Sequence, residues 1–235
     1  MPFHRWPVWR RSPQEREITR LIRSGFKRFG YSQVQEVAAA TAWLAAWDLF
    51  TAMLTPDIRA LPAFYHAHPK LRVDLEQWLM HLDMVLHNAG LEALHYHAER
   101  LRVSQEYQHL FPEMDADTRV HITRAEAEAL WALGHQPEAD AVYHQLVLTL
   151  PDQAWGYIGW ADQYVLGRDQ AHNYARAETL LKQALSRPHL DDRPSVLERL
   201  IALYDAWDRP QDIPPLEQEL RALRGPTAGR APRDA

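Results

Sequence analysis

The chain of 235 residues contains no cysteine, which excludes disulfide bridges and thiolate metal sites. Glycine is also scarce, and none of its nine occurrences belongs to a phosphate-binding loop, a dinucleotide fingerprint or a nucleophile elbow. No stretch has the pattern of a strand. These absences predict an all-α protein that is not an enzyme and binds no cofactor.

Long apolar runs are absent as well. The most apolar stretch, residues 37–54, includes Asp48 and two threonines, whereas a membrane span needs about 20 strongly apolar residues. We therefore interpret this stretch as a buried helix. The N-terminus is basic, but prolines interrupt it and no apolar core of a secretory signal follows. We expect a cytoplasmic protein.

Thirteen histidines raise the question of a metal site. The closest pairs are His66 with His68 and His95 with His97. In a helix, a spacing of two residues points side chains about 200° apart, which prevents His95 and His97 from sharing an ion. His66 and His68 lie in a proline-rich stretch that allows a shared ion, but no further ligand motif accompanies them. We predict that no metal is bound.

Charge is distributed unevenly along the chain. Residues 1–30 carry eight basic and two acidic side chains, a net charge of +6. Because the whole chain has a formal net charge of −5, the remaining residues sum to −11. The start of the chain is therefore a basic arm that also carries tryptophan. Its candidate binding residues are Arg5, Trp6, Trp9, Arg10 and Arg11.

A recurrence at 34 residues organises the second half of the chain. Thr123, Ala127 and Leu130 are matched 34 positions later by Tyr157, Ala161 and Tyr164. Between them lie Gly134, Ala139, Tyr143 and Pro151, at the spacing of a tetratricopeptide repeat (TPR). The period predicts an all-α, right-handed TPR-like solenoid with a helical N-terminal extension. The usual role of such a solenoid is to hold another chain.

Helical periodicity divides the chain into four predicted parts. Residues 1–30 are the basic arm and an amphipathic helix, residues 31–117 are helical hairpins, residues 118–224 are the repeats, and residues 225–235 are a disordered tail. The predicted repeat pairs are 118–133 with 137–149, 153–166 with 174–186, and 193–206 with 212–223.

Three local features carry further expectations. Residues 55–70 contain three prolines and are expected to be an irregular crossing. Gly90 is expected to close the preceding helix in a left-handed conformation. Pro214 and Pro215 fall inside the last predicted helix, where proline removes a hydrogen bond and is expected to kink it.

Several segments resemble bacterial TPR-like proteins that carry a SEC-C motif. These segments are AWLAAWDLF (42–50), LEQWLMHLDMVLHNAG (75–90), RAEAEALWALG (124–134), WGYIGWADQY (155–164) and YARAETLLKQAL (174–185). The resemblance implies a helical-repeat fold. Those relatives usually end in a cysteine-rich, zinc-binding tail, but this chain has no cysteine, so the zinc function does not carry over.

In a TPR the first helix of each pair lines the concave face. The predicted partner-binding residues there are His121, Arg124, Glu128, Trp131, Trp155, Ile158 and Asp162. Glu128 and Asp162 stand where a clamp for a C-terminal carboxylate would need asparagine. We therefore predict a protein–protein interaction scaffold whose groove binds a basic or amphipathic segment. For the two tryptophans, packing between helices is the alternative role.

The basic arm leaves other interpretations open. It can cap the solenoid, or it can associate with a second copy of the chain through the acidic body. Arginines that pair with phosphates and tryptophans that stack on bases also suit a nucleic acid, and a basic amphipathic helix suits an anionic membrane. A factor that associates with nucleic acid or membrane is therefore the alternative function.

Overall fold

The computed structural model describes residues 11–30, 32–71, 73–166 and 172–224, and these residues form only helices and their connections. The helices are α1 (Pro13–Phe26), α2 (Gln33–Thr51), α3 (Leu61–Ala67), α4 (Leu75–Gly90), α5 (His95–Leu110), α6 (Ala116–Ala132), α7 (Gln136–Thr149), α8 (Ala154–Gln163), α9 (Tyr174–Leu185), α10 (Arg193–Ala206) and α11 (Ile213–Arg224), with a 3₁₀ turn at Pro210–Asp212. The all-α expectation is confirmed.

The chain forms two compact units, Met1–Gly134 and His135–Ala235. The first contains α1 to α6 and the second α7 to α11. The predicted boundary between residues 117 and 118 lies in the first turn of α6, whereas the division into units lies after that helix. The first helix of the first predicted repeat is therefore grouped with the N-terminal helices.

Short polar motifs set where several helices begin. At α1 the Ser12 hydroxyl accepts a hydrogen bond from the Glu15 amide (3.0 Å), and the Glu15 carboxylate accepts one from the Ser12 amide (2.7 Å). This reciprocal pair satisfies two amides that the helix leaves without partners. Asp74 and Asp115 cap α4 and α6 through their carboxylates. Such caps fix the residues at which these three helices begin.

Large aromatic side chains fill the core of the first unit, where α2 packs on α1 and α4. Trp43, Trp47 and Phe50 on α2 are fully buried, which confirms that the membrane-like stretch is a core helix. The Trp43 indole N–H also donates a hydrogen bond of 3.0 Å to the carbonyl oxygen of Ile22, which fixes α1 on α2. Among the described residues, no helix combines the length and the apolarity needed to cross a membrane.

Two local predictions for the first unit are wrong. The stretch expected to be irregular contains α3, whose Leu61 and Phe64 are buried in the core. Gly90 does not adopt a left-handed conformation; positive φ angles at glycine occur at Gly30 and Gly134 in the described residues. Gly90 instead ends α4 where the ring of His97 lies against its backbone. The absence of a side chain there permits close packing of α4 and α5.

The second unit is built around α8 and α10, which pack on each other and on α9. The rings of Tyr143 and Trp160 are stacked, with centroids 6.1 Å apart. Asp140 accepts hydrogen bonds from the Trp160 indole (2.6 Å) and the Tyr164 hydroxyl (2.7 Å). These bonds satisfy the polar atoms of large aromatics while their rings are buried.

The six helices predicted for the repeats correspond to α6 to α11, with ends within a few residues of those predicted. The prediction that Pro214 and Pro215 lie inside the last helix and kink it is wrong. That helix begins only at Ile213, so Pro214 and Pro215 occupy its first turn. Amides in the first turn have no acceptor within the helix, and proline loses no hydrogen bond there.

The contact between Gly90 and His97 gives a stability prediction. A methyl group added at Gly90 would lie closer than 3.0 Å to three atoms of the His97 ring. Since His97 is itself buried, Gly90→Ala is expected to reduce the free energy of unfolding by roughly 1–3 kcal/mol, as measured by urea denaturation.

Gly156→Ala in α8 is the matched control. A methyl group there meets Val147 at 3.4 Å, an ordinary contact distance, and alanine favours a helix by about 0.5–1 kcal/mol. Equal destabilisation by both substitutions would contradict the special role of Gly90.

Candidate functional site

The described surface of the first unit contains a cleft of about 660 Å³ between the start of α3, α4, the end of α5 and the start of α6. Its floor is apolar, with Leu61, Leu79, Met80, Tyr107, Phe111, Met114 and Ile122. Its rim carries four carboxylates, from Glu76, Glu113, Asp115 and Asp117. Ala60, Pro62, Thr118 and His121 complete the lining, and we refer to the whole as the acid-rimmed cleft.

The connection from α5 to α6 brings most of the rim together. Phe111 is buried and anchors the end of α5, and the acidic residues that follow are exposed. Asp115 then starts α6, because its carboxylate accepts hydrogen bonds from the Thr118 amide (2.8 Å) and the Thr118 hydroxyl (2.9 Å). The hydrogen bond from the Thr118 amide is the main reason that the pKa of Asp115 lies below its usual value. This rim carboxylate is therefore ionised at neutral pH.

Neighbouring cations neutralise only part of the negative charge on the rim. Glu113 pairs with Arg59 at 2.6 Å, on the surface. In the described residues no ion pair is recorded for Glu76, Asp115 or Asp117. Their charges therefore make the mouth of the cleft negative.

Tyr107 in the floor responds to this negative charge. Burial, with the carboxylates of Asp115 and Glu76 acting in the same direction, raises the pKa of its hydroxyl to about 12. The phenol consequently stays neutral, and the floor remains uncharged beneath an anionic rim.

Beside the cleft, a buried arginine ties three helices together. Arg100 on α5 is 4% exposed. It donates two hydrogen bonds to Asp83 on α4, from Nε (2.6 Å) and Nη2 (3.1 Å), and one from Nη2 to Glu128 on α6 (2.8 Å). Bidentate pairing of this kind fixes geometry as well as charge.

Ionisation within this cluster is set by competing effects. Burial opposes the charge on Asp83, but the adjacent Arg100 outweighs it and holds the pKa of the carboxyl below its usual value. Burial also opposes the charge on Arg100, yet Asp83 and Glu128 raise its pKa. For the neighbouring His97, burial lowers the pKa to about 4, with the charges of His87 and Arg100 acting in the same direction. The cluster therefore contains a charged arginine–carboxylate core beside a neutral imidazole.

The seven predicted groove residues divide between the two units. His121, Arg124, Glu128 and Trp131 lie on α6, in the first. His121 lines the acid-rimmed cleft, with Nε2 3.5 Å from an Asp83 oxygen. Glu128 accepts hydrogen bonds from both Arg100 and Arg124 (3.0 Å for the latter). The Glu128 carboxylate is therefore neutralised by arginines of its own unit.

In the second unit, Trp155, Ile158 and Asp162 lie on α8. Trp155 is 40% exposed, Ile158 is buried, and an Asp162 oxygen lies 3.2 Å from Nε of Arg199 on α10. Trp131 in the first unit is also buried, as in the packing role that was its alternative. The groove assignment as a whole stays a prediction.

Of the predicted basic arm, Arg5, Trp6, Trp9 and Arg10 lie outside the described residues. Arg11 is described, and its carbonyl oxygen accepts a hydrogen bond from Arg16 (2.6 Å).

Of the pair His66 and His68, which was considered for a metal ion, His68 has other partners. The His68 ring packs on Phe64, and its Nδ1 lies 3.4 Å from a Glu15 oxygen. Within the described ranges, no three histidine, aspartate or glutamate side chains are grouped so that they could hold a metal ion.

The acid-rimmed cleft was not predicted from the sequence. One signal for its rim was present, since three carboxylates occur in five positions at residues 113–117. Its floor had no such signal, because Leu61, Leu79 and Ile122 come from three separate helices.

Comparisons of the chain with protein-family models, with curated proteins and with solved structures gave no match. The resemblance to TPR-like proteins with a SEC-C motif therefore stays a prediction.

The Arg100 cluster gives a second stability prediction. Arg100→Met removes the arginine partner of the largely buried Asp83 carboxylate and leaves Glu128 with Arg124 alone, and we expect the free energy of unfolding to fall by about 3–5 kcal/mol in urea denaturation. The control is Arg221→Met on α11, whose ion pair with Glu217 is exposed and is worth less than about 1 kcal/mol. Similar losses in the two variants would show that the buried cluster has no special weight.

Proposed function

We propose that this protein is a non-catalytic scaffold that binds a basic, amphipathic segment of another protein in the acid-rimmed cleft. The observation that supports this proposal is the combination of an apolar floor with three rim carboxylates for which the described residues record no ion pair. An amphipathic helix places apolar side chains on one face and basic side chains beside them. Its two kinds of side chain match the floor and the rim.

The floor suits a row of apolar side chains on a bound peptide, because it is partly exposed and contains flexible side chains. Met80 is 58% exposed, although it lines the same cleft as buried Leu79 and Phe111. Methionine has a flexible, polarisable side chain that adjusts to different partners. Apolar anchors that enter such a groove at helical spacing are the usual mode of helix recognition.

The rim supplies direction and specificity. Lysine or arginine side chains on the bound segment would meet Glu76 on one side and Asp115 or Asp117 on the other. Such exposed pairs add little affinity individually, but they speed association and disfavour acidic partners. The proposed ligand is therefore basic as well as amphipathic.

We prefer the cleft to the concave groove for a physical reason. Glu128, which was expected to meet the partner, is already bound to Arg100 and Arg124. Replacing it with lysine would place a second cation against buried Arg100, so lost binding in that variant would reflect damage to the unit. Substitutions at the exposed rim avoid this ambiguity.

The finer description of the fold is part of the same proposal. The 34-residue spacing and the three helix pairs support a right-handed TPR-like solenoid of the kind to which SEC-C motif proteins belong. Binding of another protein is the usual work of such a repeat, and a cytoplasmic location accords with the absence of cysteine.

The test uses a fluorescent 18-residue helical peptide of leucine and lysine with one apolar face. We expect Glu76→Lys/Asp117→Lys to weaken its binding at least tenfold in fluorescence anisotropy at low salt, because two attractive charges become repulsive. The control, Glu92→Lys/Glu217→Lys, makes the same change of net charge at exposed positions outside the cleft and should keep most of the affinity.

A second peptide has the same composition but no continuous apolar face, and it should bind the unmodified protein weakly. Equal binding of the two peptides would overturn the amphipathic part of the proposal. Equal weakening by the rim and control variants would show that overall charge, and not the cleft, determines binding. Circular dichroism confirms that the variants remain helical.

A further inference from the structure

A second surface of the first unit has the opposite charge. Arg16, Arg20, Arg23 and Lys27 are exposed at successive intervals of four, three and four residues, so the arginines share one face of α1 and Lys27, the residue that caps the helix, continues the row. With Arg11 they border a shallow groove of about 450 Å³, whose lining contains no carboxylate. We refer to Arg16, Arg20, Arg23 and Lys27 as the basic face.

Neutralisation of the basic face is slight. Arg20 pairs with Glu17 on the same helix. For Arg16, Arg23 and Lys27, no ion pair is recorded within the described residues. Four cations in one row with a single carboxylate partner produce a local positive potential on a chain whose net charge is negative.

The opposite side of α1 is committed to the core. Ile18 and Ile22 are fully buried, and the Ile22 carbonyl accepts the hydrogen bond from the Trp43 indole. A helix that binds a membrane by insertion needs its apolar face free to enter the lipid. Because α1 has used that face for folding, its geometry favours a ligand that contacts charges alone.

The length of the row is comparable with a short stretch of duplex. Arg16 and Lys27 are eleven positions apart, which corresponds to about 16.5 Å along a helix. Measured along the duplex axis, one strand advances about 3.4 Å per phosphate, so the row covers the axial rise of about five phosphates. Arginine also presents several donors to phosphate oxygens.

We propose that the basic face binds the phosphate backbone of nucleic acid without reading base sequence. This site is separate from the acid-rimmed cleft, and the proposal does not depend on the function assigned to that cleft. The fixed helix presents its cations in a row, and their contacts release counterions from the duplex on binding. Affinity should therefore fall steeply as salt rises.

The experiment measures binding of the full chain to a fluorescent 20-base-pair DNA duplex of mixed sequence between 50 and 200 mM salt. Each phosphate contact contributes about −0.9 to the slope of log affinity against log salt, so Arg23→Gln/Lys27→Gln should make the slope shallower by about 1.8. Over this fourfold range of salt, that difference is about a twelvefold smaller loss of affinity. A duplex of different sequence should give the same values.

The matched control is Arg221→Gln/Arg224→Gln, which removes two exposed cations from α11. It should leave the slope unchanged. An unchanged slope in the Arg23/Lys27 variant, or an equal change in the control, overturns the proposal. Binding to phosphatidylserine vesicles that depends on Arg23 and Lys27, without binding to the duplex, would also overturn it and identify a membrane surface as the ligand.

Discussion

The buried contact of Arg100 with Asp83 and Glu128 is the constraint on which the arrangement of α4, α5 and α6 depends. It joins one side chain from each helix, at an angle fixed by the planar guanidinium. These same helices carry Leu79, Tyr107 and Ile122 in the floor of the acid-rimmed cleft. The shape of the proposed binding site therefore rests on a charged cluster that contacts no ligand.

Sequence patterns that act locally were sufficient for much of the fold. The 34-residue period located α6 to α9, and helical periodicity located the last pair, because both signals arise from the regular spacing of apolar residues along the chain. Features that depend on distant residues were not predictable. The need for glycine at position 90 arises from His97, which lies on another helix. The sequence likewise gives no sign that Glu128 forms an ion pair with Arg100 on another helix.

The first unit presents two surfaces of opposite charge, and both arise from how amphipathic helices are used. On α1 the apolar face is consumed by the core, which leaves a row of cations for ligands that carry charge alone. At the acid-rimmed cleft, apolar side chains remain accessible beside carboxylates, which suits a ligand with both properties. The two proposals together assign a basic protein segment and a polyanion to separate surfaces of this unit.

The most direct test of the central claim is nuclear magnetic resonance with methyl-labelled protein, titrated with the amphipathic leucine–lysine peptide. The account predicts that the methyl signals of Leu79, Met80 and Ile122 shift as the peptide binds, because these side chains line the cleft. Shifts confined to α8 and its neighbours in the second unit, with the cleft methyl groups unmoved, would contradict it.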